Sequence, residues 1–144
     1  MRFRRKGRVP IIDATLRNTG PDTVVLVLPG DVHRTPILRW AVRTRDGRKV
    51  PPEPVAYCGN RGPLQRRAIV TLAPGEARDL SLGFPAFFQY EKKDTYVVQL
   101  IYENWPSMLG GEPLGVDDPE AVRQLRGSTP CRILSNQLVV KVRP

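Results

Sequence analysis

A chain of 144 residues fits one domain and can bury a core without a metal or several disulfides, leaving little length for a second full domain. Its fifteen prolines and twelve glycines are spread along the whole length, which suits an all-β domain with many turns and argues against a helical bundle. The formal charge of +9 raises the prospect of a polyanion partner, whereas no apolar run approaches the roughly 20 residues of a membrane span.

Residues 1–8 read as a basic N-terminal tail, since Arg2, Arg4, Arg5, Lys6 and Arg8 precede the first apolar stretch and supply more than half of the net charge. A solvated tail with scattered surface arginines accounts for the charge more economically than a nucleic-acid site. Val9, Pro10, Ile11 and Ile12 are followed at once by Asp13, so the apolar stretch of a secretory signal is missing. The sequence as it stands therefore suggests a cytoplasmic protein, or an exported or periplasmic one if the natural start lies upstream.

Residues 9–16 form the first expected strand, ending at the turn-rich Asn18-Thr19-Gly20-Pro21-Asp22. The continuous apolar run over 23–28 marks a buried central strand. Residues 37–44 alternate most clearly, with Leu38, Trp40 and Val42 on one face and Arg39 and Arg43 on the other. Asp46-Gly47 then signals a hairpin into a brief strand at Lys49 and Val50, which Pro51, Pro52 and Pro54 end. After a loop over 55–67, residues 68–72 and 77–84 read as strands joined by Ala73-Pro74-Gly75-Glu76, whose Pro-Gly order suits a type II turn.

The clearest pair comes last. Residues 94–102 place Tyr96, Val98, Leu100 and Tyr102 on one face, and residues 135–142 do the same with Leu138, Val140 and Val142. Between them lies an insertion, 103–134, far longer than the two to five residues of an ordinary hairpin connection. It holds a short helix over 118–126, with Asp117 and Glu120 spaced as a capping box, Pro119 in the first turn and Gly127 at the stop. Val122 and Leu125 would pack this helix onto the sheets.

The chain resembles the immunoglobulin-like and fibronectin type III-like sandwiches used as accessory domains in bacterial proteins. The residues that carry the resemblance are Asn18-Thr19-Gly20, Trp40 on the third strand, Leu72-Ala73-Pro74-Gly75-Glu76, Tyr96 and Ser135-Asn136. It implies an all-β, Ig-like antiparallel β-sandwich of seven or eight strands over residues 9–144, with one short helix in the insertion before the last strand. It also implies a hydroxyl of Tyr96 bonded to upstream backbone, although a plain buried aromatic fits that position equally well.

Chemistry is sparse. Cys58 and Cys131 either form a disulfide, closing a loop of about 72 residues worth on the order of 4 kcal/mol in the chain-entropy model, or remain two thiols. A cysteine nucleophile would need His33, the only imidazole, as its base. Glu112, Asp117, Asp118 and Glu120 could hold a hard cation, yet helix capping explains the last three without one. With no catalytic constellation, cofactor motif or metal set, the expectation is a non-enzymatic module that binds another protein. Its expected contact surface is Trp105, Pro106, Met108 and Leu109 in the insertion. The alternative is a polyanion surface made by Arg39, Arg43, Arg45 and Arg48 with the basic tail nearby.

Overall fold

A computed structural model describes residues 1–6, 9–28, 38–54, 66–83, 88–90, 94–106 and 118–142. Among them the strands are β1 (Arg2–Lys6), β2 (Val9–Arg17), β3 (Val24–Val27), β4 (Leu38–Thr44), β5 (Ile69–Leu72), β6 (Ala77–Gly83), β7 (Thr95–Asn104), β8 (Cys131–Leu134) and β9 (Leu138–Lys141), with one helix, α1 (Pro119–Arg126). They pair antiparallel as β1-β2-β6, as β3-β5, and as a sheet in which β7 lies between β4 on one side and β8 and β9 on the other. The architecture is an all-β sandwich with a short helix.

β7 organises the interior. Tyr96, Val98, Leu100, Tyr102 and Asn104 are buried and every residue between them is half-buried, the period-two pattern of a strand with one face in the core. Toward its start, Tyr96 and Val98 pack with Ile12 of β2, Val42 of β4 and Val140 of β9, and Trp40 is half-buried against the same cluster. Toward its end, Tyr102 packs with Leu26 and Val27 of β3, Leu72 of β5, and Ala121 and Leu125 of α1.

Several expectations need correction. The supposed tail is β1, an edge strand with Arg2 opposite Asp13 and Lys6 opposite Val9. Its charges disguised it, because edge strands carry Arg and Lys without giving up their ladder. The insertion is also shorter than 103–134: Glu103 and Asn104 complete β7, and Cys131–Leu134 return as β8, leaving residues 105–130 as the connection. β8 and β9 are two halves of one path along β7, interrupted at residues 135–137. Ser135 patches the interruption. Its N–H donates to the Leu100 carbonyl at 2.9 Å, its Oγ accepts from the Leu100 N–H at 2.9 Å, and its carbonyl accepts from Gln99 Nε2 at 2.8 Å.

Two turns singled out in the sequence meet in space. Buried Asn18 donates from Nδ2 to the carbonyls of Leu72 at 3.0 Å and Asp22 at 2.7 Å, while its Oδ1 accepts from the Gly20 N–H at 3.0 Å. Its backbone N–H donates to the Glu76 carbonyl, and its carbonyl accepts from Gly75. Gly75 has φ +80°, the left-handed conformation that a type II turn demands and that favours glycine. One side chain thus ties the β2–β3 turn to the β5–β6 turn.

Helix α1 begins one residue later than expected, with Asp118 as its cap: the carboxylate accepts from the Glu120 N–H at 2.9 Å. Asp117, the expected cap, lies outside the described residues. Ala121 and Leu125, four apart, form the buried stripe in place of Val122 and Leu125, and Val122 is half-buried.

Candidate interaction surface

Because the side chains of β7 alternate, burying one face exposes the other to whatever covers it. The register places Arg39 opposite Ile101 and Arg43 opposite Val97 on the β4 side. On the other side it places Arg132 opposite Glu103, Leu134 opposite Ile101, Val139 opposite Val97 and Lys141 opposite Thr95. Lys49, bridged to Arg43, adds a cation one strand further out. The outer face therefore holds an aliphatic patch, Val97 and Ile101 on β7 with Gln99 between them and Leu134 and Val139 on the β8–β9 path, bordered by the β4 cations on one side and by Arg132 and Lys141 at the two ends of the β8–β9 path. Val97 and Ile101 are half-buried, but Leu134 is 54% exposed and Val139 66% exposed.

Electrostatics on this face are lopsided. Glu103 is the carboxylate of β7, and it is held by Arg39 at 2.5 Å and Arg132 at 3.3 Å. Arg43 donates from Nη1 to the Gly47 carbonyl at 3.0 Å, which closes the Asp46-Gly47 hairpin, with Gly47 at φ +91°. Among the described residues, Lys49 and Lys141 have no carboxylate partner. Asp46, at the hairpin tip, sits below its ordinary carboxylate value chiefly because the Thr44 hydroxyl donates to it, with Arg48 adding to the effect.

The sequence-derived candidates are placed as follows. Trp105 follows β7 directly and is 37% exposed, and Pro106 beside it is half-buried. Met108 and Leu109 lie outside the described residues. Arg39, Arg43, Arg45 and Arg48 are all exposed and gather along β4 and its hairpin. The basic N-terminal segment does not join them, because β1 approaches β9, at the edge of the sheet opposite β4. Leu134 falls within the expected insertion 103–134 and Val139 on the opposite face of its strand from Leu138 and Val140, so the sequence pattern marks neither as a site residue. The usable signal was the alternation of Val139 and Lys141 against Leu138 and Val140.

The remaining chemistry stays unassembled. Cys131 is a free thiol, half-buried, and burial pushes it above its ordinary value. Cys58 and His33 lie outside the described residues, as does Glu112. Asp118 receives a two-pronged contact from Arg66, Nε to Oδ2 at 2.5 Å and Nη2 to Oδ1 at 3.0 Å, which holds the carboxyl below its ordinary range. Glu120 turns instead to Arg123 and Gln124 on its own helix. Among the described residues no group of three or more His, Cys, Asp or Glu is arranged to hold a metal, and no helix is long and apolar enough to cross a membrane.

A cleft of about 280 Å³ opens between the β1–β2–β6 sheet and the sheet centred on β7, walled by Leu16, Leu38, Leu80, Leu100, Tyr102 and Ile133. It falls below the usual size of a ligand pocket. The Tyr102 hydroxyl, the one buried titratable group in its wall, donates to the Val27 carbonyl at 2.8 Å, and burial raises its pKa. That hydroxyl makes a bond to upstream backbone of the kind expected of Tyr96. Tyr96 itself is buried, with its ring edge-on to Tyr90 at a centroid separation of 4.8 Å.

No protein-family model matches the chain, and no curated protein matches it.

Proposed function

We propose that the protein is a non-enzymatic accessory module, of the immunoglobulin-like kind, that binds another protein through the outer face of the β4–β7–β8–β9 sheet. The observation that carries this reading is the exposure of Leu134 and Val139 on the same face as half-buried Val97 and Ile101. Single exposed aliphatic residues are ordinary, but aliphatic residues from three strands that share one face of a sheet make an apolar patch, here divided by Gln99, and such patches are where partners dock. Trp105, exposed just past the end of β7, is a separate exposed aromatic of the kind that anchors interfaces. The immunoglobulin-like reading draws support from the antiparallel sandwich and from the Asn18 knot between the two turns that carried the resemblance.

The polyanion alternative has less behind it. Arg39 is engaged by Glu103, β1 lies at the far edge from β4, and aliphatic side chains occupy the middle of the cationic face, where phosphates would have to sit.

Site-specific photocrosslinking in the native host tests the proposal. A photoreactive side chain at position 134 or 139 is expected to trap another protein, while the same group at exposed Thr71 on β5 traps little. Equal trapping at all three positions, or none at any of them, would overturn it.

A further inference from the structure

The face just described also says what kind of partner fits it. We propose that it receives one acidic amphipathic helix of the partner protein. The helix would set its apolar stripe on Val97, Ile101, Leu134 and Val139, with its carboxylates against Arg43 and Lys49 along the β4 side and against Arg132 and Lys141 at the two ends of the patch. This inference rests on the protein-binding reading and specifies the chemistry of that same site.

The dimensions select a single element. The apolar residues stand on β7 and on the β8–β9 path beside it, so the patch is about 5 Å wide at the backbone, with the β4 cations one strand spacing beyond β7. One α-helix, about 10 Å across with its side chains, covers that width and reaches the β4 cations. Along β7, Val97 and Ile101 are four residues and about 13 Å apart, a span covered by two to three turns of a helix carrying apolar residues at every third or fourth position. An amphipathic helix laid on an apolar strip with charged borders is a recurrent mode of peptide recognition.

Charge then selects the sign. The face holds Arg39, Arg43, Lys49, Arg132 and Lys141 against Glu103, whose carboxylate is already shared by Arg39 and Arg132. Acidic residues flanking the partner's stripe would meet the cations left over, which speeds encounter and disfavours basic partners. Other occupants fit less well. A second copy of this face would oppose cations to cations. A nucleic-acid backbone would leave Val139 and Leu134 facing phosphate. A lipid interface favours Trp and Tyr, and the outer face of these strands carries neither.

The test uses two synthetic helical peptides with the same leucine stripe, one bordered by glutamates and the other by lysines, and reads fluorescence anisotropy with the full chain at low and moderate salt. The glutamate peptide is expected to bind at least tenfold more tightly than the lysine peptide. Val139→Asp should weaken it roughly tenfold, and the pair Arg43→Glu with Lys141→Glu should reverse the preference. All three are surface changes, and an unchanged thermal transition verifies that each variant is folded. Equal binding of the two peptides overturns the inference. So does binding of a 20-base-pair duplex or of phosphatidylglycerol vesicles that exceeds the peptide and ignores Val139→Asp. The crosslinking experiment separates the two levels: a partner trapped through a segment that is not acidic sinks this inference alone, whereas no trapped partner sinks the protein-binding reading beneath it.

Discussion

The two faces of β7 are written in the same ten residues and obey opposite rules. On the inner face Tyr96, Val98, Leu100, Tyr102 and Asn104 are buried and tied to other elements. On the outer face Thr95, Val97, Gln99, Ile101 and Glu103 are half-buried and continue onto exposed Leu134 and Val139. Their composition differs less than their surroundings do, because both faces hold aliphatic residues. What separates them is what stands opposite: β2, β3, β5 and α1 inside, and, among the described residues, only flanking cations outside. An apolar residue stabilises the fold only where a second layer meets it, and where none does it remains free to stabilise a complex.

That contrast predicts a steep gradient of mutational effects. Tyr96→Ala should be the most damaging change, at about 3–5 kcal/mol, because it leaves a cavity among Ile12, Val42, Val98 and Val140. A cost of that size is a large fraction of the 5–15 kcal/mol typical of a domain, and denaturant unfolding would measure it. A loss below about 1 kcal/mol would mean that the inner face is not the core. Asn18→Ala should cost about 1–3 kcal/mol, since the buried carbonyl of Leu72 and the Gly20 N–H would both lose their partner. Its effect should appear as faster amide exchange in both turns at once, and exchange confined to the β2–β3 turn would deny the knot.

At the other end of the gradient, Leu134→Ser and Val139→Ser should each change stability by no more than about 0.5 kcal/mol, as surface changes do. With the photoreactive group at one of these positions, serine at the other should sharply reduce the crosslink. If the serine substitutions unfold the protein, the outer face belongs to the core and the contrast collapses.

The Arg66–Asp118 pair supplies the smallest and most local test. Asp118 lies below its ordinary value of 3.8 because Arg66 donates to it, with the Glu120 N–H assisting. A carboxyl depressed by folding stabilises the native state at pH above its unfolded value, and that contribution disappears as pH falls through the lower folded value. The start of α1 should therefore loosen only well into acid. In Arg66→Ala the Asp118 midpoint, followed by carboxyl NMR, should move upward toward 3.8. A midpoint that stays put would show that the helix N–H groups alone hold the carboxylate.

Asn104 holds another part of the contrast. It is fully buried at the end of the inner face, and its Nδ2 donates to Ser128 Oγ at 3.1 Å and to the Thr129 carbonyl at 2.7 Å. Thr129 in turn exchanges two bonds with Val25 of β3. The segment after α1 is thereby clamped between β7 and β3, which keeps Ala121 and Leu125 pressed on the core. Among the described residues Asn104 Oδ1 has no hydrogen-bond partner, an unmet acceptor at the heart of this clamp.

By itself the sequence determined what depends on near neighbours. Alternation marked the buried faces of β4, β7 and β9; Asp46-Gly47 and Pro74-Gly75 marked turns whose glycines do adopt positive φ; and Pro119 with Gly127 bracketed α1 to within a residue. These follow from side-chain period and backbone sterics, which act over a few positions. Tertiary structure alone decided what depends on register between distant strands. It turned residues 2–6 into a strand by giving them β2 to pair with, and it laid β8 and β9 end to end along β7. It also made one buried asparagine the link between two turns 54 positions apart. The aliphatic patch with its bordering cations belongs to this second kind. Val97, Ile101, Leu134 and Val139 become one surface only when three strands are aligned, and no pattern within any single strand spells out that alignment.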